Sequence, residues 1–187
     1  MSILVTGGAR SGKSGFAERL TRKLADSRQA VYVATGQAFD AEMEARIALH
    51  RQQRQADADG FQWETLEEPL KLAALLEQLS GSGQTVLVDC LTLWLSNQLL
   101  AVEERSDRQK FVEDEIAGLE QAVSGFEGTL ILVTNEVGGG IVPEYPLGRL
   151  YRDLAGRMNA RLAARCGQVF LVTAGIPVEL RSREYLL

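Results

Sequence analysis

The run Gly7-Gly8-Ala9-Arg10-Ser11-Gly12-Lys13-Ser14 constrains this chain more than any other stretch. It satisfies the pattern G-x-x-x-x-G-K-[ST] at every fixed position, and its flanks are the ones such a loop needs. Ile3-Leu4-Val5 before it is a short apolar segment that predicts a buried strand. Phe16, Leu20 and Leu24 after it recur at four-residue spacing, which predicts one face of a helix. The glycines let the backbone turn so that successive N–H groups converge on phosphate oxygens, and the helix start adds the positive end of its dipole. In that geometry Lys13 reaches the outer phosphates and the Ser14 hydroxyl holds Mg²⁺. The expected ligand is a nucleoside triphosphate.

The chain has 187 residues, so the expectation is one phosphate-loop nucleotide-binding domain over 1–187. Hydrophobic residues at 45% and charged residues at 24% are ordinary for a globular core of that size. A formal charge of −5 leaves no broad electrostatic footprint for nucleic acid or an anionic membrane. No apolar run is long enough to span a bilayer, and with the loop so close to Met1 no removable leader is expected. Cys90 and Cys166 are far apart and form no C-x-x-C, so neither a metal site nor a disulfide scaffold is indicated. A reducing cytoplasm is the expected compartment.

Strands and helices are expected to alternate. Ala30–Ala34, Phe61–Leu66, Thr85–Asp89, Thr129–Thr134 and Val169–Thr173 predict further strands, with a weaker edge strand after Gly175. Asp40–Gln55 predicts a helix, as does a segment from Pro69 carrying Leu72, Leu75, Leu76 and Leu79. Cys90–Leu100 reads as amphipathic, Arg105–Val123 as a charged helix and Leu147–Arg165 as a long one. This order implies an α/β fold, a mainly parallel sheet with helices on both faces. Ligands bind such sheets beyond the carboxyl ends of the strands.

Four other constellations fall at such ends or on the segments after them. Asp89 closes the TVLVD strand, where a phosphate-loop protein needs an acidic group for Mg²⁺ or its water shell. His50, the only histidine, shares one side of its expected helix with Arg46 and Arg54, beside Arg51. Neighbouring cations disfavour its protonation and leave the imidazole neutral and nucleophilic; a solvent-exposed histidine on a polar helix is the alternative. Asn135–Pro143 (NEVGGGIVP) follows the TLILVT strand, and its consecutive glycines permit close approach of backbone to a ligand. Arg149, Arg152, Arg157 and Asp153 form either an anion clamp or a salt-bridged solvated face.

Taken together these residues resemble the bifunctional adenosylcobinamide kinase/adenosylcobinamide-phosphate guanylyltransferase family of cobalamin biosynthesis, nearly end to end. ILVTGGARSGKS is similar to its opening, and Glu42-Met43, Arg46-Ile47 and His50-Arg51 to its E-M-x-x-R-I-x-x-H-R segment. Trp63, Thr65 and Glu67-Glu68-Pro69 resemble W-x-T-x-E-x-P, and Val88-Asp89-Cys90-Leu91-Thr92 resembles its acidic strand end. TNEVGGGIVPEYPLGRLYRDLAGRMN resembles its most distinctive block.

The resemblance implies a RecA-like parallel sheet, a homotrimer, and two reactions without nucleic acid. ATP or GTP phosphorylates the aminopropanol hydroxyl of adenosylcobinamide. GTP then guanylylates His50, and GMP passes to adenosylcobinamide phosphate, giving adenosylcobinamide-GDP and pyrophosphate. It further implies nucleotide contacts from Thr35, Gly36, Gln37, Arg51, Gln52, Gln53, Arg54, Glu67 and Asp89. Gln55 stands where the family usually has proline, and Ala160 where it has glutamine. The alternatives are a single-activity small-molecule kinase with an idle His50 and a RecA-like nucleic-acid ATPase, which the acidic balance opposes.

Overall fold

Buried side chains alternate along each central strand and so divide the core into two faces. In the computed structural model, which describes residues 1–26, 28–37 and 60–185, the strands are β1 (Ser2–Thr6), β2 (Gln29–Ala34), β3 (Gln62–Glu67), β4 (Thr85–Asp89), β5 (Thr129–Val133), β6 (Gln168–Thr173) and β7 (Ile176–Glu179). They form one sheet in the order β3-β2-β4-β5-β1-β6-β7, with β1 to β6 parallel and β7 antiparallel to β6. The helices are α1 (Lys13–Leu24), α2 (Leu72–Leu79), α3 (Leu91–Ala101), α4 (Arg108–Gly125) and α5 (Pro146–Arg165). The expected helix Asp40–Gln55 lies outside the described residues.

Leu4, Val31, Val33, Val86, Val88, Leu130 and Leu132 turn to one face and pack with α2 to α5. Their neighbours Ile3, Val5, Tyr32, Leu87, Ile131 and Val133 turn to the other, where Ala17, Phe16, Leu20 and Leu24 of α1 meet them. Each fully buried Leu, Ile or Val contributes about 1.5–3 kcal/mol relative to exposure. The weakly expected edge strand forms as β7.

Three expectations change. The helix expected from Pro69 begins at Leu72, because Glu68 Oε1 accepts the N–H groups of Leu70 (2.9 Å) and Lys71 (2.7 Å) and bends the chain first. The charged helix starts at Arg108, and Arg105 is instead held to Asp107 in the preceding turn, at 2.9 and 2.8 Å. The segment read as amphipathic, now α3, is buried on nearly every side: Leu91, Thr92, Trp94, Leu95, Asn97, Gln98 and Leu99 are all inside. Its polar groups serve carbonyls that leave the sheet. Trp94 Nε1 and Gln98 Nε2 donate to Leu70 O (2.9 and 2.6 Å), and Asn97 Nδ2 to Thr35 O and Pro69 O (2.7 and 3.1 Å).

Candidate active site

Strand register brings the carboxyl ends of five strands into line. Glu67 pairs with Ala34, Ala34 with Asp89, Asp89 with Val133 and Val133 with Val5. The phosphate loop leaves β1 at the centre of this edge. Arg10 (φ 56°) and Gly12 (φ 92°) take left-handed backbone, which curls the loop into the start of α1. Phe16 N–H donates to Gly12 O at 3.0 Å. Lys13 is buried, and its Nζ donates to Gly8 O at 3.2 Å, so its ammonium lies over the loop. Thr6 Oγ1 and Ser11 Oγ are buried hydroxyls without a partner among the described residues, and such atoms call for a ligand or water.

A second element closes on this loop. The turn between β6 and β7 has Ala174 (φ 52°) and Gly175 (φ 80°) both left-handed, the two-residue hairpin geometry that suits twisted strands. Gly175 N–H donates to Ser11 O at 2.9 Å. A Cβ at Gly12 would lie 3.3 Å from Gly175 Cα, and one at Gly7 would meet Val172 O.

At the end of β4, the Tyr32 hydroxyl donates to Asp89 Oδ2 at 3.2 Å. Thr35 sews β2 to β4: its hydroxyl donates to Cys90 O (2.7 Å) and accepts Cys90 N–H (2.9 Å). Its carbonyl is taken by Asn97, while Gly36 and Gln37 beside it are part-exposed. Burial, and then the Asp89 charge, push the Cys90 thiol up to about 11, with Lys13 acting in the opposite direction. Cys90 therefore stays protonated near neutral pH and serves packing, not nucleophilic attack. Glu67 is exposed at the end of edge strand β3.

The end of β5 carries a polar network. Thr134 Oγ1 is 2.7 Å from Asn159 Oδ1, and Asn159 Nδ2 donates to Asn135 O at 3.0 Å. Asn135 Nδ2 donates to Thr92 Oγ1 at 2.7 Å, and Glu136 N–H donates to Gly7 O at 3.1 Å. Tyr151 OH donates to Thr92 O at 3.2 Å, and burial holds this phenol up at about 12. Beyond, the glycine-rich loop is tied by side chains. Glu136 Oε1 accepts Gly138 N–H at 2.8 Å, Arg152 Nη2 donates to Gly138 O, and Arg149 Nη1 donates to Pro143 O (3.1 Å) and Glu144 O (2.6 Å). Arg157 pairs with Glu113 at 2.8 Å, and Asp153 is exposed. Arg149 and Arg152 thus fasten a loop, and Arg157 forms a surface pair.

The structure brings Gly7–Ser14, Gly36, Gln37, Glu67 and Asp89 to one edge of the sheet. His50, Arg51, Gln52, Gln53 and Arg54 lie outside the described residues. Sequence reasoning did not single out Thr92, Tyr151, Asn159 or the Ala174-Gly175 turn. An X-Gly pair between two strand-like runs was the available signal for the turn.

The family model for cobinamide kinase/cobinamide phosphate guanyltransferase matches residues 3–180, a span that takes in every element named above save the first residue of β1. The chain belongs to that family. It is similar to the bifunctional adenosylcobalamin biosynthesis protein CobP of Pseudomonas aeruginosa, 46% identical over 182 residues, covering 97% of this chain and 98% of the relative. It is 41% identical over 189 residues to the bifunctional adenosylcobalamin biosynthesis protein CobU of Salmonella typhimurium, covering 97% and 100%. A solved structure of protein PH0250 from Pyrococcus horikoshii is similar in fold alone, with TM-score 0.51, 10% identity, and 96% and 85% coverage. The chain itself has a RecA-like phosphate-loop α/β fold, a mainly parallel sheet with helices on both faces. Among the described residues no helix is long and apolar enough to cross a membrane.

Proposed function

We infer that the chain phosphorylates adenosylcobinamide with ATP or GTP and then transfers GMP from GTP to the product through a guanylyl-His50 intermediate. The observation that carries this reading is a complete phosphate cradle, Gly7–Ser14, at the carboxyl edge beside Asp89, in a chain that the bifunctional family spans from residue 3 to 180. In the first reaction the substrate hydroxyl oxygen bonds to the terminal phosphorus as the bond to the leaving nucleoside diphosphate breaks. The loop amides and Lys13 bind the charge that spreads over the phosphoryl oxygens. In the second, a neutral His50 nitrogen attacks the α-phosphorus of GTP and pyrophosphate departs. A phosphate oxygen of the corrinoid product then displaces the imidazole, giving the dinucleotide-like bond and free His50.

The donors present suit Mg²⁺. The Ser14 hydroxyl and the Asp89 carboxylate are hard oxygens, and Asp89 Oδ1 has no hydrogen-bond partner among the described residues. Bound with nucleotide, the ion would be held by Ser14 and Asp89 and would neutralise phosphate charge. Cytoplasmic residence, homotrimeric assembly and the absence of a nucleic-acid partner belong to the same proposal, supported by family resemblance and by the net charge of −5.

Incubation with GTP followed by intact-mass measurement tests the reading. The expected result is an acid-labile gain of one GMP that His50→Ala abolishes and cobinamide phosphate discharges. A protein that phosphorylates cobinamide but gains no mass is a single-activity kinase.

A further inference from the structure

The tip of β5 lies between the two strands that carry the phosphate loop and Asp89, since the sheet runs β4-β5-β1 there. Asn135 is the first residue past that tip after the fully engaged Thr134. Three elements fix it. Its backbone carbonyl accepts Asn159 Nδ2 from α5 at 3.0 Å, and its Nδ2 donates to Thr92 Oγ1 of α3 at 2.7 Å. The next residue's N–H donates to Gly7 O, the first residue of the phosphate loop, at 3.1 Å. Thr92 is itself buried and sits 3.2 Å from Cys90 Sγ, so the anchor is rigid. This leaves Asn135 Oδ1 without a partner among the described residues, on a part-exposed side chain at the ligand-binding edge.

We propose that Asn135 is a further catalytic residue of phosphoryl transfer, its Oδ1 accepting the hydrogen bond of the attacking hydroxyl and aiming that oxygen at the terminal phosphorus. The proposal rests on the kinase half of the activity inferred above. A carboxamide takes no proton. The O–P bond forms, the bond to the leaving nucleoside diphosphate breaks, and the hydroxyl proton departs to water as the phosphate ester is released. The arrangement is preorganised, because Thr92 and Asn159 hold the amide before any substrate arrives.

Two measurements on the full chain test it. Asn135→Ala is expected to lower kcat for cobinamide phosphorylation about 100-fold with KM for ATP within about threefold. Asn135→Asp keeps an acceptor oxygen, so it is expected to retain rate within about tenfold, and that rate is expected to fall as the new carboxylate protonates in acid. The second measurement needs no corrinoid: ADP with aluminium fluoride, a mimic of the transferring phosphoryl group with water in line, is expected to bind Asn135→Ala about 100-fold more weakly than wild type while ADP alone binds equally. This binding split between the two proteins, together with no phosphorylation of cobinamide by wild type, overturns the inferred substrate and leaves Asn135 in its role. Equal aluminium-fluoride binding by the two proteins overturns Asn135's role whatever the acceptor. So does a matching loss of ADP affinity, which marks a structural part only.

Discussion

Two glycine-rich loops leave neighbouring strands at the same edge of the sheet, and they keep their shapes by opposite means. The loop after β1 is shaped by its own backbone: Arg10 and Gly12 are left-handed, and Gly12 crowds against Gly175. In the loop after β5, Gly138, Gly139 and Gly140 have no left-handed backbone, and a Cβ at Gly139 or Gly140 would stand in open space. That loop is fastened instead by Arg149, Arg152 and Glu136. Glycine in the first loop is a conformational requirement; in the second it keeps bulk away from whatever approaches the edge. A loop shaped by its own backbone, as the first is, suits a ligand of fixed geometry such as a chain of phosphates.

The contrast can be broken by substitution. Lys13→Ala removes the buried cation of the first loop and should lower kcat/KM for both nucleotide reactions by about 100- to 1,000-fold, measured by steady-state kinetics. Gly12→Ala should cost about 1–2 kcal/mol from left-handed strain and weaken nucleotide binding, as read by denaturant titration and calorimetry. Arg152→Ala unties the second loop only. It should cost about 1 kcal/mol, leave nucleotide affinity unchanged, and speed proteolysis between Gly138 and Gly140. Gly139→Ala and Gly140→Ala should leave stability within about 0.5 kcal/mol of wild type. A destabilisation there as large as that of Gly12→Ala would erase the distinction between the loops.

The smallest effect concerns acid. Glu179 accepts the N–H groups of Val169, Arg181 and Ser182, which holds its carboxyl down at about 2 against an ordinary 4.5. A folded-state value below the unfolded one gives stability that is fully present above about 4.5 and fades as pH falls towards 2. The melting-temperature gap between wild type and Glu179→Gln should therefore narrow from pH 5 to pH 2.

What the sequence made legible was local. The phosphate loop, the TVLVD strand with Asp89 at its end, and the alternation of strand and helix each rest on residues within a few positions of one another. Helix α3 misled because its pattern records only what its own side chains prefer. Asn97 and Gln98 look like a solvent face, yet Thr35, Pro69 and Leu70 bring carbonyls to them from elsewhere in the chain. The Thr92–Asn135–Asn159 network escaped for the same reason, since α3, β5 and α5 meet only in three dimensions. The NEVGGG segment stood out as functional, but its fastening by Arg149 and Arg152 did not.

The turn at Ala174-Gly175 has a consequence for order of assembly. Strand β1 precedes β5 and β6 in the chain, yet it lies between them, and the loop beyond it is braced by the turn that follows β6. A nascent chain in which that turn has not yet been made lacks the bond from Gly175 N–H to Ser11 O that closes on the loop. If that brace is what shapes the loop, removal of residues 168–179 is expected to weaken nucleotide binding, so stalled products should not sequester nucleotide.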